Sequence, residues 1–392
     1  MTPSARVQAA IEILDQVIAS ARDDGSPADA IVTRYFKARR YAGSKDRRAV
    51  RELVFRAIRR SGERPPSGRA GMLGLADDEA LLLDLFDGTP HGPAPREPAE
   101  EVADASPLPG WVRPLLSDHV TPDEWAALLD RAPLDLRANM ARTNREELTT
   151  QFEGAVPTRL SPWGLRLPPD TKVDDHPAFL AGLTEVQDEG SQLIALACKP
   201  ENGARMLDLC AGAGGKSLAL AAAAPQADII ASDTNRARLA QLPARAERAA
   251  ANIAVRLLDG GREASQLAGL EGQCDVVLVD APCSGSGTWR RNPEGRWRLT
   301  RERLDRLVKL QTRLLDIAAP LVKPGGALVY ATCSIIRPEG TDQARNFLGR
   351  HSSWVGQDVG FDGGRDDGPG RLLTPAHDAT DGFFVARFVR PC

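Results

Sequence analysis

Short apolar runs recur along the second half of the chain: ARMLDL (204–209), DIIAS (228–232), IAVRLL (253–258), DVVLVD (275–280) and GALVYA (326–331). Helix-like segments separate most of them. Strands that are apolar on both faces and alternate with helices predict a parallel, doubly wound α/β sheet. The closing run, GFFVARFVR, predicts one more strand, antiparallel and at the far edge. The first half has a different period. Val7, Ala10, Ile11, Leu14, Val17 and Ile18 recur at helical spacing, so the chain begins on an amphipathic helix. Charges interrupt this segment, which distinguishes it from a secretory signal.

Helices are expected to about residue 70. Residues 77–104 are acidic and then Pro-rich, which predicts a flexible connection. WVRPLLSDHVTPDEWAALLDRAP (111–133) predicts a return to helix, with Thr121 or Asp123 as its cap. Mixed strand and helix texture follows from residue 134. Three domains are therefore expected: all-helical over 1–130, a small α+β subdomain over 131–185 and the doubly wound domain over 186–392. A length of 392 residues agrees, because single cores rarely grow past about 250.

Charge changes the picture locally. The net charge is only −3, yet residues 34–69 carry thirteen Lys or Arg against three acids. That one-sided run predicts a phosphate-facing surface. The six cysteines form no CxxC pair, so neither a zinc site nor a disulfide framework is expected, and free thiols suit the cytoplasm. No run of about 18 apolar residues suggests a membrane span. A monomer is expected.

MLDLCAGAGGKSLALAAAA reads as strand, Gly-rich turn and helix. A Walker A loop would need glycine where Cys210 stands. A dinucleotide fingerprint would need glycine where Ser217 stands. What distinguishes this turn is the series of acids that follows, Asp233, Asp259 and Asp280, each closing a strand. Ligands of open α/β sheets sit beyond those strand ends, and an acid after the second strand can accept from ribose hydroxyls. Further acids can meet an adenine amino group and an ammonium. Such a set suits a zwitterionic nucleoside without phosphate, S-adenosylmethionine.

Two cysteines stand at strand ends, in VDAPCSGSG and YATCSI. A thiolate added to carbon 6 of a cytosine makes carbon 5 nucleophilic enough to accept a methyl group. LDLCAGAGGKS, VDAPCSGSGTWRRNPEGRW and YATCSI, in this order, resemble the RsmB and Sun family of RNA cytosine-5 methyltransferases. The resemblance covers roughly residues 130–392. It is supported by TEVQDEGSQL and by the closing strand, and the basic N-terminal region is similar to a NusB-like RNA-binding domain. The resemblance implies that Cys333 is the nucleophile, that Cys283 assists product release, and that Asp280 and Lys216 act beside them. It implies that Cys210, Ala211, Gly212, Ala213, Gly214, Gly215 and Lys216, with Asp233, Asp259 and Asp280, hold S-adenosylmethionine. Ala213 departs from the family pattern, which has proline there.

The segment after Cys283 is rich in arginine and holds two tryptophans. Trp289, Arg290, Arg291, Arg296 and Trp297 are therefore expected to hold a splayed RNA strand by stacking and phosphate contact. The expected substrate is 16S ribosomal RNA, with transfer RNA as the alternative. A non-catalytic RNA-binding or ribosome-assembly factor would not need Asp280, Cys283 and Cys333 together. A DNA enzyme would leave the second cysteine without a role.

Overall fold

The computed structural model describes residues 1–23 and 25–392. The chain divides into two compact units. One holds Met1–Leu116, Thr121–Asp130 and Thr288–Arg301; the other holds Ser117–Val120, Arg131–Gly287 and Glu302–Cys392. No helix among the described residues is long and apolar enough to cross a membrane.

The first unit packs α1 (Pro3–Arg22), α2 (Ala28–Lys37), α3 (Ser44–Arg60) and α4 (Gly68–Asp77). Thr2 caps α1 by accepting from the Ala5 amide, and the apolar stripe from Val7 to Ile18 is buried. At the start of α4, Gly68 lets the two backbones approach. A Cβ there would lie 2.3 Å from the Ile11 carbonyl oxygen, and the Gly68 amide donates to Asp15 at 2.6 Å. Arg39, Arg51, Arg56, Arg60 and Arg69 pair with Glu12, Asp29, Glu79, Asp78 and Glu100, so much of the basic run is neutralised within its own unit.

Three expectations need correction. Residues 111–133 form short 3-10 turns at Arg113–Leu115 and Pro122–Glu124 and no α-helix, because Pro114 and Pro122 interrupt the stretch. Thr121 makes no side-chain cap. The Pro-rich stretch before it is tied down, for Arg69 donates to the carbonyls of Ala94 and Pro95 and the Ala103 amide to that of Ala70. The third correction concerns Thr288–Arg301, which leaves the second unit to complete the first. Arg296 is buried and donates to the carbonyls of Ile58 at 2.5 Å and Pro107 at 2.6 Å. Trp297 donates to the Ser61 carbonyl at 2.8 Å. Together they satisfy carbonyls at the end of α3 that have no helical partner, with a cation at the negative end of the helix dipole. Glu294 does the converse, accepting from the Ala28 amide at the start of α2 at 2.9 Å. Trp289, Arg290, Arg296 and Trp297 are thus buried, and the RNA-stacking surface expected of them is not formed. Arg291 is part-exposed.

In the second unit, β1 (Leu134–Ala138), β2 (Val156–Pro157), β3 (Gly164–Leu167) and β4 (Thr184–Val186) form a small antiparallel sheet in the order β2-β3-β1-β4. The large sheet uses β5 (Arg205–Asp208), β6 (Asp228–Asp233), β7 (Ala254–Leu257), β8 (Cys274–Asp280) and β9 (Val322–Thr332). It adds β10 (Val355–Gln357), β11 (Arg365–Asp367), β12 (Gly370–Leu373) and β13 (Phe383–Val389). The order is β11-β12-β13-β9-β8-β5-β6-β7, with β10 also pairing with β13. The five strands β5–β9 are parallel where they pair, as a Rossmann-like sheet requires. β13 is antiparallel, but β10 and β12 pair with it, so it is not the edge.

The central strand β5 ends on Asp208, which is fully buried and bonded to Ser217 at 2.6 Å. Burial pushes its carboxyl up to about 7 against the pull of Ser217, and the charge of Asp280 adds to the rise. The unfolded value is about 3.9, so the folded state binds more protons between these limits. The group therefore contributes most stability below about pH 4 and loses that contribution as pH rises to about 7.

Two outcomes are expected from denaturant titration. Trp297→Ala will lower stability by about 3–5 kcal/mol through the lost core volume and the orphaned carbonyl; a change below about 1 kcal/mol would remove Thr288–Arg301 from the fold of the helical unit. Asp208→Asn will gain stability relative to the parent as pH rises from about 4 to about 7 and will gain no more above that, whereas a pH-independent difference would contradict the burial account.

Candidate active site

The Gly-rich turn leads from β5 into the helix Gly215–Ala223. Gly212 and Gly214 adopt φ of +56° and +81°, a conformation that disfavours side chains. A Cβ on Gly214 would lie 2.2 Å from Leu242. β6 ends at Asp233, whose carboxylate accepts from the amides of Gly212 at 2.7 Å and Asn235 at 2.6 Å. These bonds fix the carboxylate against the turn.

β8 and β9 run parallel, with Asp280 level with Ala331 and the Ala281 amide bonded to the Ala331 carbonyl. Both strands end at the same height, and each is followed within three residues by a cysteine. The Cys283 and Cys333 sulfurs are 3.3 Å apart. Both are half-buried, and both line a cavity of about 470 Å³ shared with Cys210, Asp233 and Asp280. That volume is ample for a small-molecule ligand. Lys216, on the first turn of its helix, donates to Asp280 at 2.6 Å.

The electrostatics divide the roles. Cys283 is held well above the ordinary thiol range, first by its hydrogen bond to Cys333, then by burial, then by the charges of Cys333 and Glu339. The two thiols share one hydrogen bond, in which either sulfur can donate. Burial pulls the Lys216 ammonium down, but the charge and hydrogen bond of Asp280 outweigh it and the net shift is upward. Lys216 stays cationic beside the sulfurs. Cys210 is pushed up by burial and by Asp208, so it remains a neutral thiol.

The expected residues do not all converge. Asp259 is exposed and bonded to Gln266 at 3.0 Å, and it is not among the residues lining the cavity. Leu258 and the buried Glu263 stand there instead. Other lining residues were not among the site residues expected from the sequence. Arg238 lies five positions after Asp233 and over Gly212. Arg303, Leu307, Leu310 and Leu314 come from one face of the helix Arg301–Ala318. The i, i+3, i+4 spacing of those leucines was visible, but it reads equally as a core stripe.

The donor set fits S-adenosylmethionine. Asp233 keeps acceptor capacity for ribose hydroxyls, and Asp280 offers a second acid. The lysine that a phosphate site would use is committed to Asp280. Among the described residues, no cluster of His, Cys, Asp and Glu could hold a metal ion.

Residues 195–389 match the family described as 16S rRNA methyltransferase RsmB/F. The chain is 36 % identical over 291 residues to a ribosomal RNA small subunit methyltransferase B of Salmonella paratyphi C, a stretch covering 72 % of this chain and 66 % of that protein. The Salmonella choleraesuis protein of the same name is 36 % identical over the same share. The crystal structure of PH0851 shares the fold, with a TM-score of 0.75 over 99 % of both chains at 23 % identity. So does NSun6 from Pyrococcus horikoshii, solved with SFG, at a TM-score of 0.63, 17 % identity, 71 % of this chain and 96 % of that one. With the paired cysteines, the Gly-rich turn and the sheet order in agreement, the chain belongs to the RsmB/F methyltransferase family.

Proposed function

We propose that this protein methylates carbon 5 of a cytosine in 16S ribosomal RNA, using S-adenosylmethionine and a transient bond from Cys333 to carbon 6. The observation that carries the reading is the pair of sulfurs 3.3 Å apart, at the ends of adjacent parallel strands and open to the cavity that holds Asp233 and Asp280. Residues 210–216, Asp233 and Asp280 would hold the cofactor, and Asp259 would join them by exchanging Gln266 for the ligand. When bound, S-adenosylmethionine supplies an electrophilic methyl group.

The chain's own residues do the rest. The Cys333 thiolate adds to carbon 6, and the electron pair of the 5,6 double bond becomes available at carbon 5. Cys283 holds Cys333 in place by the hydrogen bond between their sulfurs. Asp280 contacts the target base. With Cys333 bonded to carbon, Cys283 can then release its proton to solvent and accept the proton that must leave carbon 5. The sulfur–carbon 6 bond breaks, its electron pair returns to Cys333, and the aromatic ring is restored. A flipped or single-stranded cytosine is required, because the sulfurs lie within a cavity.

Methyl transfer to transcribed 16S RNA tests the reading. Cys333→Ala will lose activity by at least about 10³-fold and keep cofactor affinity; full activity would overturn the assignment. Cys283→Ala will accumulate a covalent protein–RNA adduct, seen as a slow band on a denaturing gel, and an adduct-free variant with normal turnover would exclude Cys283 from the mechanism. Bisulfite sequencing of RNA from a deletion strain will show loss of one 16S cytosine signal; a loss confined to transfer RNA would contradict the substrate.

A further inference from the structure

Six residues beyond Cys333, Glu339 is fully buried, and among the described residues no lysine or arginine pairs with it. Four neutral donors converge on its carboxylate. The Ser284 amide gives 2.8 Å, the Ser284 hydroxyl 2.5 Å, the Ser334 hydroxyl 2.7 Å and the Gln311 amide nitrogen 3.0 Å. Ser284 follows Cys283 and Ser334 follows Cys333, so one carboxylate grips the residue after each cysteine. Gln311 also donates to the carbonyl of Pro282, the residue before Cys283, at 2.9 Å. The clamp itself is anchored, because the buried Tyr330 hydroxyl donates to the Glu339 carbonyl at 2.6 Å. Burying a carboxylate without a cation is costly unless its hydrogen bonds are satisfied, and here they are. Nothing in the packing of β8 on β9 needs this group, since those strands are already paired along their length.

We propose that Glu339 is a positioning residue for the two-cysteine centre: its carboxylate ties the Ser284 and Ser334 loops together so that the sulfurs meet, and its negative charge lies against the residue that follows each cysteine. This rests on the two-cysteine reading of the site. That charge also contributes to the raised pKa of Cys283, after the hydrogen bond to Cys333 and burial. The two serines are bridged by Glu339 and lie 3.4 Å apart, and Ser286 bonds Ser334 at 2.9 Å, so the hydroxyl network spans both loops.

The test uses full-length protein and Glu339→Gln, which keeps the size of the side chain, removes the charge and turns one of its two acceptor atoms into a donor. Alkylation by iodoacetamide is followed against pH, with Cys283 and Cys333 resolved by peptide mass spectrometry, in the absence of RNA and cofactor. In the variant, Cys283 alkylation will shift to lower pH, giving about tenfold faster reaction at a fixed pH below the midpoint, a one-unit shift. On RNA, kcat will fall by about 10²-fold while KM for S-adenosylmethionine stays within about twofold. An unchanged Cys283 profile in folded Glu339→Gln would overturn the charge role. Ser334→Ala is the second variant, removing one donor while keeping the charge. It will lower kcat with the Cys283 profile unmoved, and a parental kcat would overturn the clamp. If the unmodified enzyme methylates no cytosine, the functional reading falls, whereas the alkylation result judges Glu339 independently.

Discussion

Two parallel strands of equal reach set the geometry on which everything else depends. β8 and β9 are paired so that Asp280 stands level with Ala331, and each strand gives out just before a cysteine. That pairing brings both strand ends to one place, and the loops beyond them, held through Ser284 and Ser334 by Glu339, set the sulfurs 3.3 Å apart. Two thiols so close cannot both ionise at little cost, so the site sorts one as acceptor and one as donor. In the proposed function, placement at the end of the sheet supplies the nucleophile, and the pairing of the sulfurs supplies its partner.

Around this pair the cavity is of mixed charge, with Arg238 and Arg303 lining it beside the acids. Asp233, Glu263 and Asp280 face a cavity in which Lys216 is already bound to Asp280. The acids of this lining can accept hydroxyls and ammonium. The buried Asp208 behind the turn is a further acid, itself leaning toward the neutral form. Backbone amides hold Asp233, whereas Lys216 pairs with Asp280 and Arg313 with Glu263.

The features legible in the sequence were those carried by local pattern. Apolar runs located β5–β9, and a strand end followed by glycines, an acid or a cysteine located Gly212, Asp233, Asp280, Cys283 and Cys333. What could not be read was decided by partners distant in the chain. Arg296 and Trp297 looked like nucleic-acid contacts because composition does not distinguish an arginine facing phosphate from one facing orphan carbonyls of α3, more than 230 positions away. Asp259 followed the same strand-end rule as Asp233, but the Gln266 seven residues on captured it. Glu339 sits in an ordinary RPEG turn, and only folding brings Ser284 and Gln311 to it.

The central claim is that Cys333, and not Cys283, forms the bond to the pyrimidine. The most direct measurement is peptide mapping of the adduct trapped when the enzyme and S-adenosylmethionine act on RNA containing 5-fluorocytidine, in which no proton is left at carbon 5 for removal. The account predicts a single cross-linked peptide that carries the nucleotide on Cys333. A nucleotide found on Cys283, or no adduct under conditions where ordinary RNA is methylated, would contradict it.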